Sequence, residues 1–518
     1  MTLSPPPARV AVAAPHPAAL DAAARAIADG GDAIDAALAA ATALTVVYPH
    51  QCGLGGDLIA LVRRPGEDVV AVVSAGAAPA GIDVAALARE ERMPRQGAQT
   101  VTIPGAVAGW RAIAGLGGRL GLDTPLRRAA ELAAEGVPVS AGLGRAIALR
   151  REELLADEGM RGVFGDGAGG LLGEGDLLVQ PALAASLAEL VDDPGAFYRG
   201  RIADSLAARL AALGGAHTPA DFAAHEAELV EPAVSREGGV RWWVAPPPSQ
   251  GVVLLGVLPE ALSGDTAALV GAVRDAALVR QAELGDPRGG AIDVEAMLDP
   301  RRLSRGALPR AGRALGDTVA VTAADTDGTV VTLIQSVYQL FGSGILDPGT
   351  GIVLHNRGSA FSTDPAHPGR VGPGLRPPHT LLPVIAERAG SADRSGSAAD
   401  AGLVLGLGCQ GGSAQPWILA QLVRDLLDPA ADPAAVLERP RFVVGARDLG
   451  HEELTLVAEP GVPDAVAAAE ALGLPVAAVS GPVDEAGHVQ LVRLHADGRL
   501  DAASDPRADG RALVAGAG

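Results

Sequence analysis

The sequence predicts an α+β protein in which sheets stack on one another and helices form the outer layers. Three observations point there. Ala-rich helical patterns fill most of the first half, apolar strand-like runs gather in the middle and C-terminal third, and the clearest hairpin begins near residue 318. At 518 residues with 48% hydrophobic side chains, the chain can bury a large core and falls outside the composition of disordered segments.

Residues 18–47 read as two helices parted at Gly30-Gly31, since glycine is a poor helix former. A Gly-rich turn, His50-Gln51-Cys52-Gly53-Leu54-Gly55-Gly56-Asp57, leads into apolar runs at 58–62 and 69–73 that pair across a Pro65-Gly66 turn. Helical patterns return at 106–160, 181–213 and 265–284, and WWVAPPPSQG (242–251) ends a strand in a stiff proline loop. The run TVAVTAAD–TDG–TVVTLIQSVY is a hairpin turning at Asp327-Gly328, residues that tolerate positive φ. A three-residue loop, Thr326-Asp327-Gly328, sets Thr318 opposite Ser336; a two-residue loop sets Val337 there instead. In either register a Thr and a Ser hydroxyl lie close together on neighbouring strands. Residues 389–400 (AGSADRSGSAAD) read as a low-complexity, solvated loop.

Composition excludes several functions. A formal charge of −20 argues against a nucleic-acid partner, which calls for clustered cations. All 41 basic residues are arginine and Asn356 is the single asparagine, a bias expected of GC-rich coding. Cys52 and Cys409 cannot build a disulfide framework or a Cys-rich metal site. The opening MTLSPPPARVAVAAPHP lacks the basic and apolar regions of a secretory signal, and no uninterrupted apolar run reaches the roughly 18 residues of a spanning helix. The expectation is a cytoplasmic protein with no membrane partner.

Gly406-Leu407-Gly408-Cys409-Gln410-Gly411 imitates a dinucleotide fingerprint between a strand-like run and a helix. The second strand with its acidic end is missing, because DPAADPAAVLERP follows. No Gly-x-Ser-x-Gly elbow, His-Glu-x-x-His or paired-Cys motif occurs, so neither a Ser-His-Asp hydrolase nor a metal centre is expected. His50, His355, His367 and His379 fall in the Gly- and Pro-rich loops most suggestive of a site.

The segments GDTVAVTAADTDGTVVTLIQSVYQLFGSGILDPGTGIVLHNRGSAFS, LRPPHTLLP (375–383), CQGGSAQP (409–416) and ASDPRADG (503–510) resemble the γ-glutamyltransferase family of N-terminal-nucleophile hydrolases. AAPHPAALDAAARAIADGGDAIDAALAA, CGLGGD, IPGAVAGW (103–110), APPPSQG (245–251) and LGDP (284–287) extend the resemblance along essentially the whole chain. The resemblance implies a four-layer αββα sandwich made as one chain that cleaves itself before a threonine. Cleavage between Asp317 and Thr318 would give a large subunit, 1–317, and a small one, 318–518. The two form one αβ heterodimer, with further pairing of such units left open.

The implied chemistry is coherent. A Thr hydroxyl needs a base to become a nucleophile, and a newly freed α-amine, with a reference pKa of about 7.7–8.0, supplies one. By resemblance, Ser336 hydrogen-bonds the Thr318 nucleophile, and the Gly411-Gly412 amides stabilise the tetrahedral oxyanion. No metal or cofactor is implied.

The substrate positions depart from a glutathione-cleaving member. SAGAAPAGIDVAAL (74–87) lacks the expected arginine, Tyr338 stands at an Asn position, Arg357 at a Gln and Ala360 at an Asp, and His379-Thr380 replace a Ser pair. Losing both the cation for an α-carboxylate and the anion for an α-amine argues against glutathione. Arg357 and His379 would instead place one or two cationic donors, with Asn356, beside the nucleophile; an alternative for Arg357 is a structural arginine bracing the loop. The combination NRG…F, RPxHT and GGxxQP looks like a second branch of the family, one that includes oxamate-hydrolysing amidases. Neighbouring relatives remove an oxalyl-type group by C–C cleavage. The expectation is a small acyl group carrying its own carboxylate, transferred to Thr318 and then to water. Two alternatives stay open: γ-glutamyl transfer or hydrolysis with a rearranged pocket, and an unprocessed binding or scaffold protein.

Overall fold

The computed structural model describes residues 9–299, 317–390, 402–446 and 449–516. The loop expected at 389–400 lies outside these except for its first two residues, as does Gly316. Strands Asp317–Asp325 and Val330–Tyr338 form the central hairpin. Their ladder pairs Ala324 with Val330 and Val319 with Gln335, and Asp325 N donates to Thr329 O, so the turn is the three-residue one. Gly328 adopts φ 105°, a conformation a side chain would resist, and Thr329 N donates to Asp325 Oδ1 at 2.9 Å to close the loop.

Alternation along these strands builds the layers. Val319, Val321, Ala323, Val331 and Leu333 face helices Pro17–Ala28 and Ala33–Val47, whereas Ala320, Ala324, Val330 and Ile334 face a second sheet. The first sheet runs Arg511–Gly516, Arg9–Ala14, the hairpin, Asp57–Arg63, Val70–Ser74 and Glu228–Val230 from edge to edge. The second runs Leu500–Ser504, Val489–His495, Leu403–Cys409, Val384–Arg388, Val240–Val244 and Ala233–Glu237. Every neighbouring pair in both sheets is antiparallel. Trp242, Val244, Leu405 and Leu407 point away from the first sheet and pack on helices Gly251–Ser263 and Thr266–Glu283. The order helix, sheet, sheet, helix is the α+β sandwich that the sequence predicts.

The break at Gly30-Gly31 has a local cause. Asp32 caps the second helix in a reciprocal box with Asp35, so the chain starts afresh there. The long helical pattern at 106–160 divides into shorter helices, beginning with Ala106–Ala114 and Asp123–Glu135, with glycines between them. The nucleotide-like glycines serve packing. A Cβ on Gly408 would lie 2.7 Å from Ile334 Cδ1, and one on Gly406 would lie 2.9 Å from Val330 Cγ1. Their strand sits between two antiparallel neighbours, so it is not part of a parallel βαβ unit, and the glycines let the second sheet close onto the hairpin. Among the described residues no helix is long and apolar enough to cross a membrane.

Candidate active site

The hairpin carries a row of polar groups onto the face between the sheets. Ser336 pairs with Asp57 across the next strand, and the ladder runs up to Val319 opposite Gln335, bringing Thr318 level with Ser336. The register then slips so that Tyr338 faces Asp317, and Tyr338 takes the strained φ of 79°. At this bulge Thr318 Oγ1 donates to Ser336 Oγ at 3.2 Å, and Ser336 Oγ donates to the Asp317 carbonyl oxygen at 2.5 Å. Tyr338 N completes the set, donating to Ser336 Oγ at 2.7 Å. One serine hydroxyl therefore touches both the threonine hydroxyl and the carbonyl of the peptide bond preceding that threonine.

Asp57 ends the row in a pocket closed to solvent. Gly76 N donates to its Oδ1 at 3.2 Å and His379 Nε2 to its Oδ2 at 3.2 Å, while His355 Nδ1 lies 3.2 Å and Arg357 Nε 3.9 Å from the same Oδ2. Burial alone would push the Asp57 carboxyl up; His355 and His379 outweigh it and hold the group well below the ordinary carboxylate range. Burial lowers Arg357 to about 10, opposed by Tyr338 and Asp57, which leaves it charged at neutral pH. The Tyr338 ring lies under its guanidinium, 3.8 Å from Cζ, and Nη1 donates to Thr380 Oγ1 at 3.1 Å. Arg357 Nε and Nη2 are buried with no hydrogen-bond acceptor among the described residues.

The other residues expected at the substrate have partners within the protein. His379 is corrected from a cationic donor to a neutral brace. Burial, then the Arg357 charge, lower it to about 4, and its two ring nitrogens are taken by Asp57 and by Leu381 N. Asn356 spends its amide on Arg95 O, Gln339 Oε1 and Gln339 N. Thr380 and Tyr338 hold Arg357 in place. His367 spans Gln281 O and Gly369 N away from this row.

The glycine pair follows the second-sheet strand Leu403–Cys409. Gln410, directly before it, donates from Nε2 to Asp317 Oδ1 at 3.4 Å. Gly411 takes φ 141° and Gly412 φ 52°, and neither amide donates a hydrogen bond among the described residues. The Asp317 side chain borders a cavity of about 290 Å³ shared with His50, Gln51, Arg145, Asp484 and His488. Desolvation raises its carboxyl to about 7, against the pull of Arg150 and the Leu340 amide. Because the folded pKa exceeds the unfolded one, this carboxyl erodes stability as pH climbs from about 4 to about 7. In an uncleaved Thr318→Ala chain, adding Asp317→Asn is expected to leave Tm unchanged at pH 4 and raise it at pH 8. Equal melting curves at pH 8 would remove the desolvated carboxyl from the account.

Comparison with known proteins identifies the family. The family model described as gamma-glutamyltranspeptidase matches residues 19–515. The chain belongs to the gamma-glutamyltranspeptidase family. It is therefore an enzyme of the hydrolase or transferase kind. Among relatives, it is 35% identical to the oxamate amidohydrolase proenzyme of Klebsiella pneumoniae over 96% of this chain and 97% of that one. It is 32% identical to the glutathione hydrolase-like YwrD proenzyme of Bacillus subtilis, over 97% and 98% of the two chains. Among solved structures, the cephalosporin acylase from Bacillus halodurans superposes with a TM-score of 0.82 at 28% identity, covering 99% of this chain and 98% of that chain.

Within this gamma-glutamyltranspeptidase-family chain, Asp57 is the site residue that sequence reasoning missed. Its only signal was its place at the end of the Gly55-Gly56 turn. That turn is tight for a reason: a Cβ on Gly56 would lie 2.4 Å from Ser336 O, so glycine there lets the turn lie against the serine strand.

Proposed function

We propose that the chain is a self-processing amide hydrolase whose nucleophile is Thr318 and whose acyl substrate is small and carries a carboxylate. The observation behind this reading is the hydroxyl chain from Thr318 through Ser336 to the Asp317 carbonyl. In processing, Thr318 Oγ1 adds to the Asp317 carbonyl carbon, the C–N bond breaks, and the acyl group passes from nitrogen to oxygen. Water then hydrolyses the ester, ending the large subunit in the Asp317 carboxylate and freeing the Thr318 amine. In turnover that amine takes the Thr318 hydroxyl proton and gives it to the leaving amine. The Gly411 and Gly412 amides, unspent on other acceptors, are the donors for the oxyanion. Both subunits share the hairpin sheet, so they stay together as an αβ pair.

The acyl preference rests on Arg357. Its free Nε and Nη2 hydrogens form the planar fork that suits a carboxylate. A relative named for oxamate, an amide with an adjacent carboxylate, fits that chemistry. Denaturing mass spectrometry with N-terminal sequencing tests the first half: two chains, one starting at Thr318, are expected, and a single intact chain would overturn self-processing. Turnover of oxamate against γ-glutamyl-p-nitroanilide tests the second, and faster turnover of the γ-glutamyl compound would return the pocket to a rearranged γ-glutamyl site. Arg357→Ala is expected to process normally yet lose about a hundredfold in kcat/KM for oxamate, the loss of a charge-assisted pair of hydrogen bonds. An unchanged kcat/KM would make Arg357 a brace.

A further inference from the structure

Arg357 is an unusual buried cation because it keeps two donors unused beside a carboxylate. Asp57 Oδ2 lies 3.9 Å from Arg357 Nε, inside the range of an ion pair and outside that of a hydrogen bond. Both side chains are fully shielded from solvent. A lone guanidinium there would be costly, and a carboxylate in bidentate contact would stabilise it while consuming the fork. The structure shows a third arrangement. His379 Nε2 donates to Asp57 Oδ2 at 3.2 Å, His355 Nδ1 stands 3.2 Å from that same oxygen, and Gly76 N holds Oδ1 at 3.2 Å.

The histidines are themselves fixed. His355 Nε2 lies 2.8 Å from Thr102 O and 3.2 Å from Thr102 Oγ1, and His379 Nδ1 accepts from Leu381 N at 3.3 Å. Neither ring can follow Asp57 toward the arginine, and Asp57 cannot leave them without breaking their contacts. On the other side, Thr380 Oγ1 takes Arg357 Nη1 and the Tyr338 ring covers the guanidinium face. What remains is one edge, Nε and Nη2, buried and without an acceptor among the described residues.

We infer that Asp57 is a positioning residue: tethered by His379 and the Gly76 amide, with His355 Nδ1 beside it, it compensates the Arg357 charge from a distance and keeps the Nε–Nη2 edge open for a substrate carboxylate. This deepens the carboxylate reading above and rests on it. It carries a sign that charge counting reverses. Removing an anion from a pocket should by itself tighten binding of another anion, whereas removing the group that sets the arginine's pose should loosen it.

The test uses the full processed protein and oxalate, the two-carboxylate product that oxamate hydrolysis would give, as a calorimetric probe. Asp57→Asn is expected to weaken oxalate binding at least about tenfold. It should also cut kcat/KM for oxamate through KM, with kcat for acetamide, which lacks the carboxylate, changed less than about twofold. A purely structural lesion would lower both substrates together. Arg357→Ala separates the two claims. If it leaves oxalate affinity intact, the carboxylate reading itself fails. If it abolishes binding while Asp57→Asn binds oxalate as tightly as the parent or more tightly, the reading stands and the positioning role is overturned. Asp57→Ser, which keeps a small acceptor for His379, replaces the Asn variant should that chain not process. Failure of both variants to process would make Asp57 part of the folding framework and end the proposal.

Discussion

Thr318→Ala is expected to remain a single chain on a denaturing gel and to lose hydrolytic activity by more than about a thousandfold. The reason is that, in the proposed function, one oxygen serves both reactions. Thr318 Oγ1 is the hydroxyl in the row that reaches Ser336 Oγ, and Ser336 in turn donates to the carbonyl before Thr318. Alanine removes the atom that attacks that carbonyl, so the peptide bond survives and the α-amine needed as base is never released. Thr318→Ser keeps the hydroxyl and should process, but more slowly, because serine lacks the β-branch that restricts χ1. Mass spectrometry of the purified variants reads both results. A Thr318→Ala chain that still splits between residues 317 and 318 would put the nucleophile elsewhere.

The legibility of this molecule depended on whether a feature was written in local pattern or in long-range contact. The hairpin was legible because Asp327-Gly328 limits the turn to two registers, and both bring Thr318 near Ser336; the structure selects the three-residue loop. The helix break at Gly30-Gly31 was legible for the same local reason. Helix Gly251–Ser263 was not, since it is buried almost all round and its apolar residues show no one-sided period. The role of His379 was misread because its sequence neighbours say nothing of Asp57, 322 positions away. Asp57 escaped notice for the converse reason: a carboxylate at the end of a glycine turn reads as solvated until Gly76, His355, Arg357 and His379, all distant in sequence, gather around it. The Gly406-Gly408 pair matched a nucleotide pattern because one residue type, glycine, answers two needs, close approach of a phosphate and close approach of a sheet.

Ser336→Ala is expected to slow self-processing by about a hundred- to a thousandfold without abolishing it, as for removal of one preorganised donor to a developing oxyanion. Ser336 Oγ does three things at once. It accepts from Thr318 Oγ1, accepts from Tyr338 N and donates to the Asp317 carbonyl oxygen. The last polarises the bond under attack, and the first orients the hydroxyl toward a proton acceptor. Losing both raises the barrier but leaves the nucleophile in place, which separates this variant from Thr318→Ala. The second contact predicts a cost in stability as well. Tyr338 N, buried at a bulge with φ 79°, would lose its acceptor, worth about 1–3 kcal/mol. Time courses of precursor loss, read by denaturing mass spectrometry alongside melting curves, measure the two effects on the same sample. A variant that melts lower yet cleaves at the parent rate would reduce Ser336 to a brace for the bulge. One that cleaves slowly at an unchanged Tm would mean that water replaces its hydroxyl for the backbone but not for the reaction.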